Sequence, residues 1–275
     1  FRENGSAVFY VKVEDDKVLF LSGDPASHDL SQRIDLKSYI QAYGYEFRGE
    51  TQVVGLPAQL RELCEQLVLK VGEWQEAIGQ LNLLASEAER RNTLTLKLDD
   101  ILRQRDPQLP VLLAECVGAG VLRDKVSDQL SFTDQQARAF ANGGWLEYYV
   151  NSKLNELKGE GVIQDSPRLN QHIQRIGATS HNEVDVCFMA RNRLHLIECK
   201  TKRMAGKGTT EVATDTVYKL DSISDLGGLG TRSMLVSYRQ LKEADRQRAK
   251  DLRIKVVQGT QIQQLKSQLR EWINQ

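Results

Sequence analysis

Apolar and polar residues alternate in two neighbouring stretches of the C-terminal half. In Val184-Asp185-Val186-Cys187-Phe188, the residues Val184, Val186 and Phe188 fall on one face. Glu183, Asp185 and Cys187 fall on the other, as side chains do along a strand. From Leu194 to Lys200 the alternation resumes, with Leu194, Leu196, Glu198 and Lys200 on one face and His195, Ile197 and Cys199 on the other. The polar stretch Ala190-Arg191-Asn192-Arg193 suits a turn, so the pattern predicts a hairpin within 181–202. Further short apolar runs predict strands at Ala7–Val13, Lys17–Leu21, Ser233–Ser237 and Ile254–Val257. Helical spacing marks a segment around Leu36, Tyr39 and Ile40, one over Lys242–Asp251 and one over Ile262–Ile273. Another starts near Ser131, with Thr133 and Gln136 at capping-box spacing. It is interrupted at Gly143-Gly144 and resumes from Trp145 towards Leu157. Strands alternating with helices predict an α/β fold, a mixed sheet flanked by helices.

Between residues 56 and 130 the chain reads as a helical connector. Cys64, Leu67, Val71, Trp74, Ile78, Leu81, Ala85 and Ala88 recur at intervals of three and four, a coiled-coil-like seam. Such a seam serves either a dimer contact or packing within one chain. Pro107 and Pro110 punctuate the next connection, and Val111 to Leu130 has the pattern of a small winged-helix-like element. Gly227-Gly228-Leu229-Gly230 fits neither phosphate-loop fingerprint, and reads as a plain loop or as a point of close approach to a nucleic-acid backbone.

Composition narrows the function. Lys plus Arg and Asp plus Glu are both 37 in 275 residues, so bulk charge gives no argument for nucleic-acid binding. Any such binding rests on a local patch, for which Arg191, Arg193, Lys200, Lys202, Arg203 and Lys207 are the candidates. No apolar stretch reaches membrane-spanning length, and the four cysteines have no CxxC spacing. They read as reduced, buried thiols of a cytoplasmic protein. The four histidines lack metal-ligand spacing, no GxSxG elbow occurs, and His195 is expected to point away from Glu198.

The chemistry-bearing residues lie on the hairpin. Paired strands bring Asp185 towards Glu198, and the spacing puts Glu198 beside Lys200. Two carboxylates aimed at one point repel, and a hard cation resolves that conflict. Mg²⁺ or Mn²⁺ held there polarises a phosphoryl oxygen, and a neighbouring ammonium neutralises developing charge. Glu147, one turn beyond Gly143-Gly144 among bulky residues, is a third candidate carboxylate. The competing reading is a surface hairpin whose charges are solvated.

Glu147 on a helix, Asp185 on a strand and Glu198-Cys199-Lys200 on the next resemble the PD-(D/E)xK restriction-endonuclease-like superfamily. The strings GGWLEYYV, NEVDVCF, LIECKT, VYKL, LGGLG and MLVS are more particular. They resemble the nuclease domain of CRISPR-associated effectors that join a CARF sensor to such a nuclease. Val184 stands where the superfamily's name has proline. The resemblance implies Asp185 and Glu198 as metal ligands, Glu147 as the helix carboxylate and Lys200 as the catalytic lysine. It also places Lys219, in Tyr218-Lys219-Leu220, at the site or on the nucleic-acid backbone. The main-chain carbonyl of Cys199 would be an extra ligand for Mn²⁺ or Mg²⁺. The implied substrate is single-stranded DNA and/or RNA. Residues 1–55 resemble the end of a CARF domain, 56–130 form the connector and 131–275 the nuclease. A complete sensor needs an upstream Rossmann-like sheet, so cyclic-oligoadenylate binding is implied for a longer parent, together with a homodimer. Two other functions stay open: a repair or junction-cleaving nuclease of the same fold, and a non-catalytic nucleotide-sensing module.

Overall fold

A computed structural model describes residues 9–12, 17–20, 27–29, 34–49, 55–102, 104–123, 128–163, 165–202 and 210–275. The sheet that organises the molecule has six strands. They are β4 (Tyr45–Arg48), β7 (Arg168–Arg175), β8 (His181–Ala190), β9 (Arg193–Lys200), β10 (Arg232–Ser237) and β11 (Lys255–Gln258). Their order is β11-β10-β9-β8-β7-β4. Strands β4, β7, β8 and β9 pair antiparallel, whereas β9, β10 and β11 run parallel. The parallel half needs crossovers, and helices α7 (Thr210–Ser224) and α8 (Glu243–Asp251) supply them. The expected mixed sheet flanked by helices is therefore present.

Each face of the sheet has its own core. One face carries Val186, Phe188, Ile197, Met234 and Val236, packed against α2 (Ala58–Leu69), α3 (Gln75–Arg90), α6 (Trp145–Gly159) and α9 (Leu265–Asn274). The other carries Cys187, Met189, Leu194, Leu196 and Leu235 against α1 (Leu36–Ala42) and α7. All eight seam residues, Cys64 through Ala88, are buried in the first core. The seam is thus spent within the chain. Tyr238 Oη donates to the Leu67 carbonyl at 2.9 Å and packs edge-to-face on Trp145 at 5.3 Å. Such an aromatic pair adds about 0.5–1.5 kcal/mol beyond its burial. His195 points away from Glu198, as expected, and is buried between Phe188 and Trp272. Burial pushes its pKa down to about 3, so it is a neutral packing residue. The four cysteines are free and buried.

Several elements differ from the sequence expectation. Strand β7 was not legible, because Arg168, Asn170, Gln171, His172, Gln174 and Arg175 leave it little apolar pattern. Residues 36–48, read from the sequence as part of a unit ending at 55, form α1 and β4, and β4 pairs with β7 in the central sheet. Strands β1 (Phe9–Lys12), β2 (Lys17–Phe20) and β3 (Ser27–Asp29) form a separate antiparallel sheet. The cap of α5 (Gln135–Ala139) is Asp134, whose carboxylate accepts from Ala137 N at 2.7 Å; Thr133 Oγ1 donates to the Gly120 carbonyl instead. Asp225–Gly230 is a 3₁₀ turn, not a plain loop. Its Gly227 sits where any Cβ would strike Leu194, so packing explains the glycine. In the connector, helix α4 (Leu109–Gly118) lies between the two strands of a short antiparallel pair, β5 (Thr95–Lys97) with β6 (Gln129–Ser131). Among the described residues no helix is long and apolar enough to cross a membrane.

Candidate active site

Strands β8 and β9 meet through a two-residue turn. Arg191 and Asn192 both take positive φ, at 51° and 54°, as a tight hairpin turn demands. Pairing runs from Ala190–Arg193 down to Val186–Ile197 and then stops. Beyond it β9 continues alongside β10, to Ser237 opposite Lys200. At the point of parting, the Cys199 N–H donates to Asp185 Oδ2 at 2.7 Å. A side-chain carboxylate takes the amide where the β8 pairing has ended.

The strict alternation expected for β8 fails here. Val186 and Phe188 belong to one core, as predicted, but Val184 packs in the other with Cys187. The strand therefore changes face at Asp185. The cause lies across the ladder on β7. Asn170, which the register sets opposite Asp185, has φ 49°. A left-handed residue inside a strand is uncommon, and asparagine tolerates it better than most. Its side chain hydrogen-bonds Glu147. Sequence reading missed Asn170, because β7 has too little apolar pattern for an asparagine to stand out in it.

Glu147 comes from the opposite direction. The chain makes a π turn over Phe140–Gly144, with Gly143 at φ 119°, and α6 starts immediately afterwards. That places Glu147 in the first turn of α6, where the helix dipole favours a carboxylate. Burial and the nearby Asp185 nevertheless push its pKa up to about 8. Asp185 is raised too, by burial and then by Glu198. Glu198 is only 2% exposed and accepts from Lys200 Nζ at 2.6 Å. Lys219, from α7, lies 3.5 Å from the same oxygen. Burial works against the Lys200 ammonium, but Glu198 and Asp185 outweigh it and its pKa is raised.

Glu147, Asp185, Glu198, Lys200, Lys219 and the Cys199 backbone thus share one end of the sheet. The layer of α6 contributes from one face and the layer of α7 from the other. The Cys199 thiol is buried and its pKa raised by that burial, so it stays protonated. Of the expected basic patch, Lys200 lies at this site, whereas Arg191 and Arg193 do not. Arg191 and Arg193 lie at the hairpin turn, the far end of β9 from Glu198, and Arg191 donates to the Asn274 carbonyl at 3.1 Å. Arg203 and Lys207 lie outside the described residues. Among the described residues, no three His, Cys, Asp or Glu side chains close into a metal cage.

The mixed six-stranded sheet flanked by helices is the fold of an endonuclease domain. Residues 134–275 match the endonuclease domain of the Card1-like family, and the chain belongs to that family. The protein VC1899 from Vibrio cholerae is 33% identical, with a TM-score of 0.85 over 99% of this chain and 70% of that one. Can2 from Sulfobacillus thermosulfidooxidans, solved in complex with cyclic tetra-adenylate, is 29% identical. Its TM-score is 0.79, over 100% of this chain and 70% of its own. Both likenesses run through the connector as well as the endonuclease domain. No curated protein matches the chain.

Proposed function

We propose that this protein is a metal-dependent nuclease of the PD-(D/E)xK type, which hydrolyses phosphodiester bonds in DNA and/or RNA. The observation that carries the reading is that Asp185, Glu198 and Glu147 share one end of the sheet with Lys200. Two of these carboxyls have raised pKa values, through burial first and a neighbouring carboxylate second, a pattern common at functional sites. An all-carboxylate donor set suits a hard divalent cation, Mg²⁺ or Mn²⁺, with the Cys199 carbonyl as a further oxygen. When bound, such an ion supplies Lewis-acid stabilisation of the phosphate and acidifies a coordinated water.

The chain's own residues do the rest. Lys200, held by Glu198, places an ammonium where a phosphate oxygen or a water can be oriented. Lys219, with its side chain 45% exposed, is free to turn from Glu198 towards an incoming phosphate. Asn170 fixes the carboxyl of Glu147. By the resemblance of its motifs and its likeness to Can2, the protein would be a CRISPR defence effector, cytoplasmic and homodimeric, switched on by cyclic oligoadenylate through a CARF domain.

Calorimetry with Mn²⁺ and cleavage assays on single-stranded DNA, RNA and plasmid, with and without cyclic tetra-adenylate, test the proposal. Lys200→Ala is expected to keep Mn²⁺ binding while losing about 10²–10³-fold in cleavage rate. A folded wild type that binds no Mn²⁺ would instead favour a sensing module without catalysis. Preference for branched substrates would favour a junction-cleaving role.

A further inference from the structure

Beside its apolar seam, helix α3 carries a second stripe. Glu76, Gly79, Asn82, Ser86 and Glu89 follow one another at intervals of three or four, so they share a face. Each of them meets the endonuclease half. Arg239 donates to Glu76 Oε1 at 2.8 Å and to the Gln75 carbonyl at 2.5 Å. Any Cβ at Gly79 would strike the same guanidinium. Asn82 Nδ2 donates to Thr201 Oγ1 at 3.0 Å. Ser86 Oγ donates to Asn142 Oδ1 at 2.7 Å, and Asn142 Nδ2 to Glu89 Oε2 at 3.1 Å.

The stripe grips two places that frame the site. Thr201 directly follows Lys200, whose own carbonyl accepts from Tyr238 N at 2.8 Å. Asn142 lies in the π turn from which α6, and with it Glu147, sets out. The two places touch: a Cβ on Gly143 would stand 2.5 Å from Thr201 Oγ1. The turn can therefore close on the strand end only with glycine there. Stability does not explain Asn82. It is 3% exposed, and its Oδ1 has no hydrogen-bond partner among the described residues. An unsatisfied buried acceptor costs about 1–3 kcal/mol, whereas the bond its amide makes returns roughly 1 kcal/mol. An apolar residue of the same shape would hold the helix as well or better.

We infer that Asn82 is a positioning residue of the nuclease site, fixing through Thr201 the end of strand β9 and the Lys200 side chain it carries. Ser86 and Glu89 hold the π turn ahead of Glu147 in the same way. The inference rests on reading Asp185, Glu198 and Lys200 as the hydrolytic centre. The connector is then part of the active site's frame, although it donates no group to the reacting atoms.

The test compares Asn82→Leu, Thr201→Val, their double variant and Thr201→Ser in the full chain, with Glu198→Ala alongside. Cleavage of a single-stranded oligonucleotide is measured with Mn²⁺ and cyclic tetra-adenylate, together with Mn²⁺ affinity by calorimetry and Tm without metal. Asn82→Leu and Thr201→Val are each expected to lower kcat roughly 10- to 100-fold with KM and Tm little changed. Mn²⁺ affinity should fall by about 10-fold. The double variant should be no worse than either single one, and Thr201→Ser should retain wild-type kcat. Wild-type kcat and Mn²⁺ affinity in both single variants, with Glu198→Ala inactive, overturn this inference alone. Loss of kcat only in step with loss of Tm does the same, since that marks a structural role. An active Glu198→Ala overturns the hydrolytic centre and this inference with it.

Discussion

Glu198→Gln is expected to lower phosphodiester cleavage by roughly 10³-fold, with the fold retained. Glu198 accepts from Lys200 and lies within reach of Lys219, at 2% exposure. The amide keeps its volume and removes the charge that holds both ammonium groups. Alanine is the less informative substitution, because losing one member of a buried ion pair can cost about 3–5 kcal/mol. Lys200, 29% exposed, turns partly to water and softens that cost. Asp185→Asn should be similarly inactive. Its side-chain oxygen still accepts from Cys199 N–H, so the strand end survives and only the charge is lost. Multiple-turnover cleavage in Mn²⁺ is the measurement, with Tm as the control for folding. Activity within a few-fold of wild type in Glu198→Gln would remove this residue from the proposed mechanism.

The second large effect is on stability, and its sign is opposite. Glu147→Gln is expected to stabilise the metal-free protein at alkaline pH and to leave it unchanged in acid. In the folded chain Glu147 titrates at about 8, raised from 4.5 by burial and by Asp185. Below pH ~4.5 both folded and unfolded chains hold the proton, so no difference arises. Between ~4.5 and ~8 the unfolded chain has released its proton and the folded chain keeps it. Stability therefore falls with rising pH by about 1.4 kcal/mol per unit, and levels off above ~8. The glutamine has nothing to release and lacks this slope. Urea midpoints of both proteins at pH 5, 7 and 9 read the difference directly. Saturating Mn²⁺ should flatten the wild-type slope, because cation binding displaces the proton. Parallel pH profiles for the two proteins would mean that burial does not keep Glu147 protonated in the folded chain.

The hairpin was legible because alternation in Val186–Phe188 and Leu194–Lys200 is a local signal. The helix bearing Glu147 was legible for the same reason, down to the break at Gly143-Gly144. What escaped was long-range or polar. Strand β7 has almost no apolar period, and the face change at Asp185 depends on the φ of Asn170 in another strand. The placement of Arg191 and Arg193 was misjudged because nearness in sequence to Glu198 is distance along a strand. Asn82 and Thr201 are 119 positions apart, and no periodicity links them. The glycines at 227–230 resembled a loop because packing against Leu194 leaves no local mark.

The outer edge of the sheet has a practical consequence. Tyr45–Arg48 covers β7 from one side, and Leu36, Tyr39 and Ile40 seal the core beneath it. A fragment starting at residue 134, where the family match begins, would lack all of these. Its β7 would present a bare row of amides and carbonyls, ready to pair with another chain, above an opened apolar floor. The endonuclease domain is therefore contiguous as a sequence match, but not self-sufficient as a folding unit. Its solubility is written some ninety residues upstream of the segment that defines it.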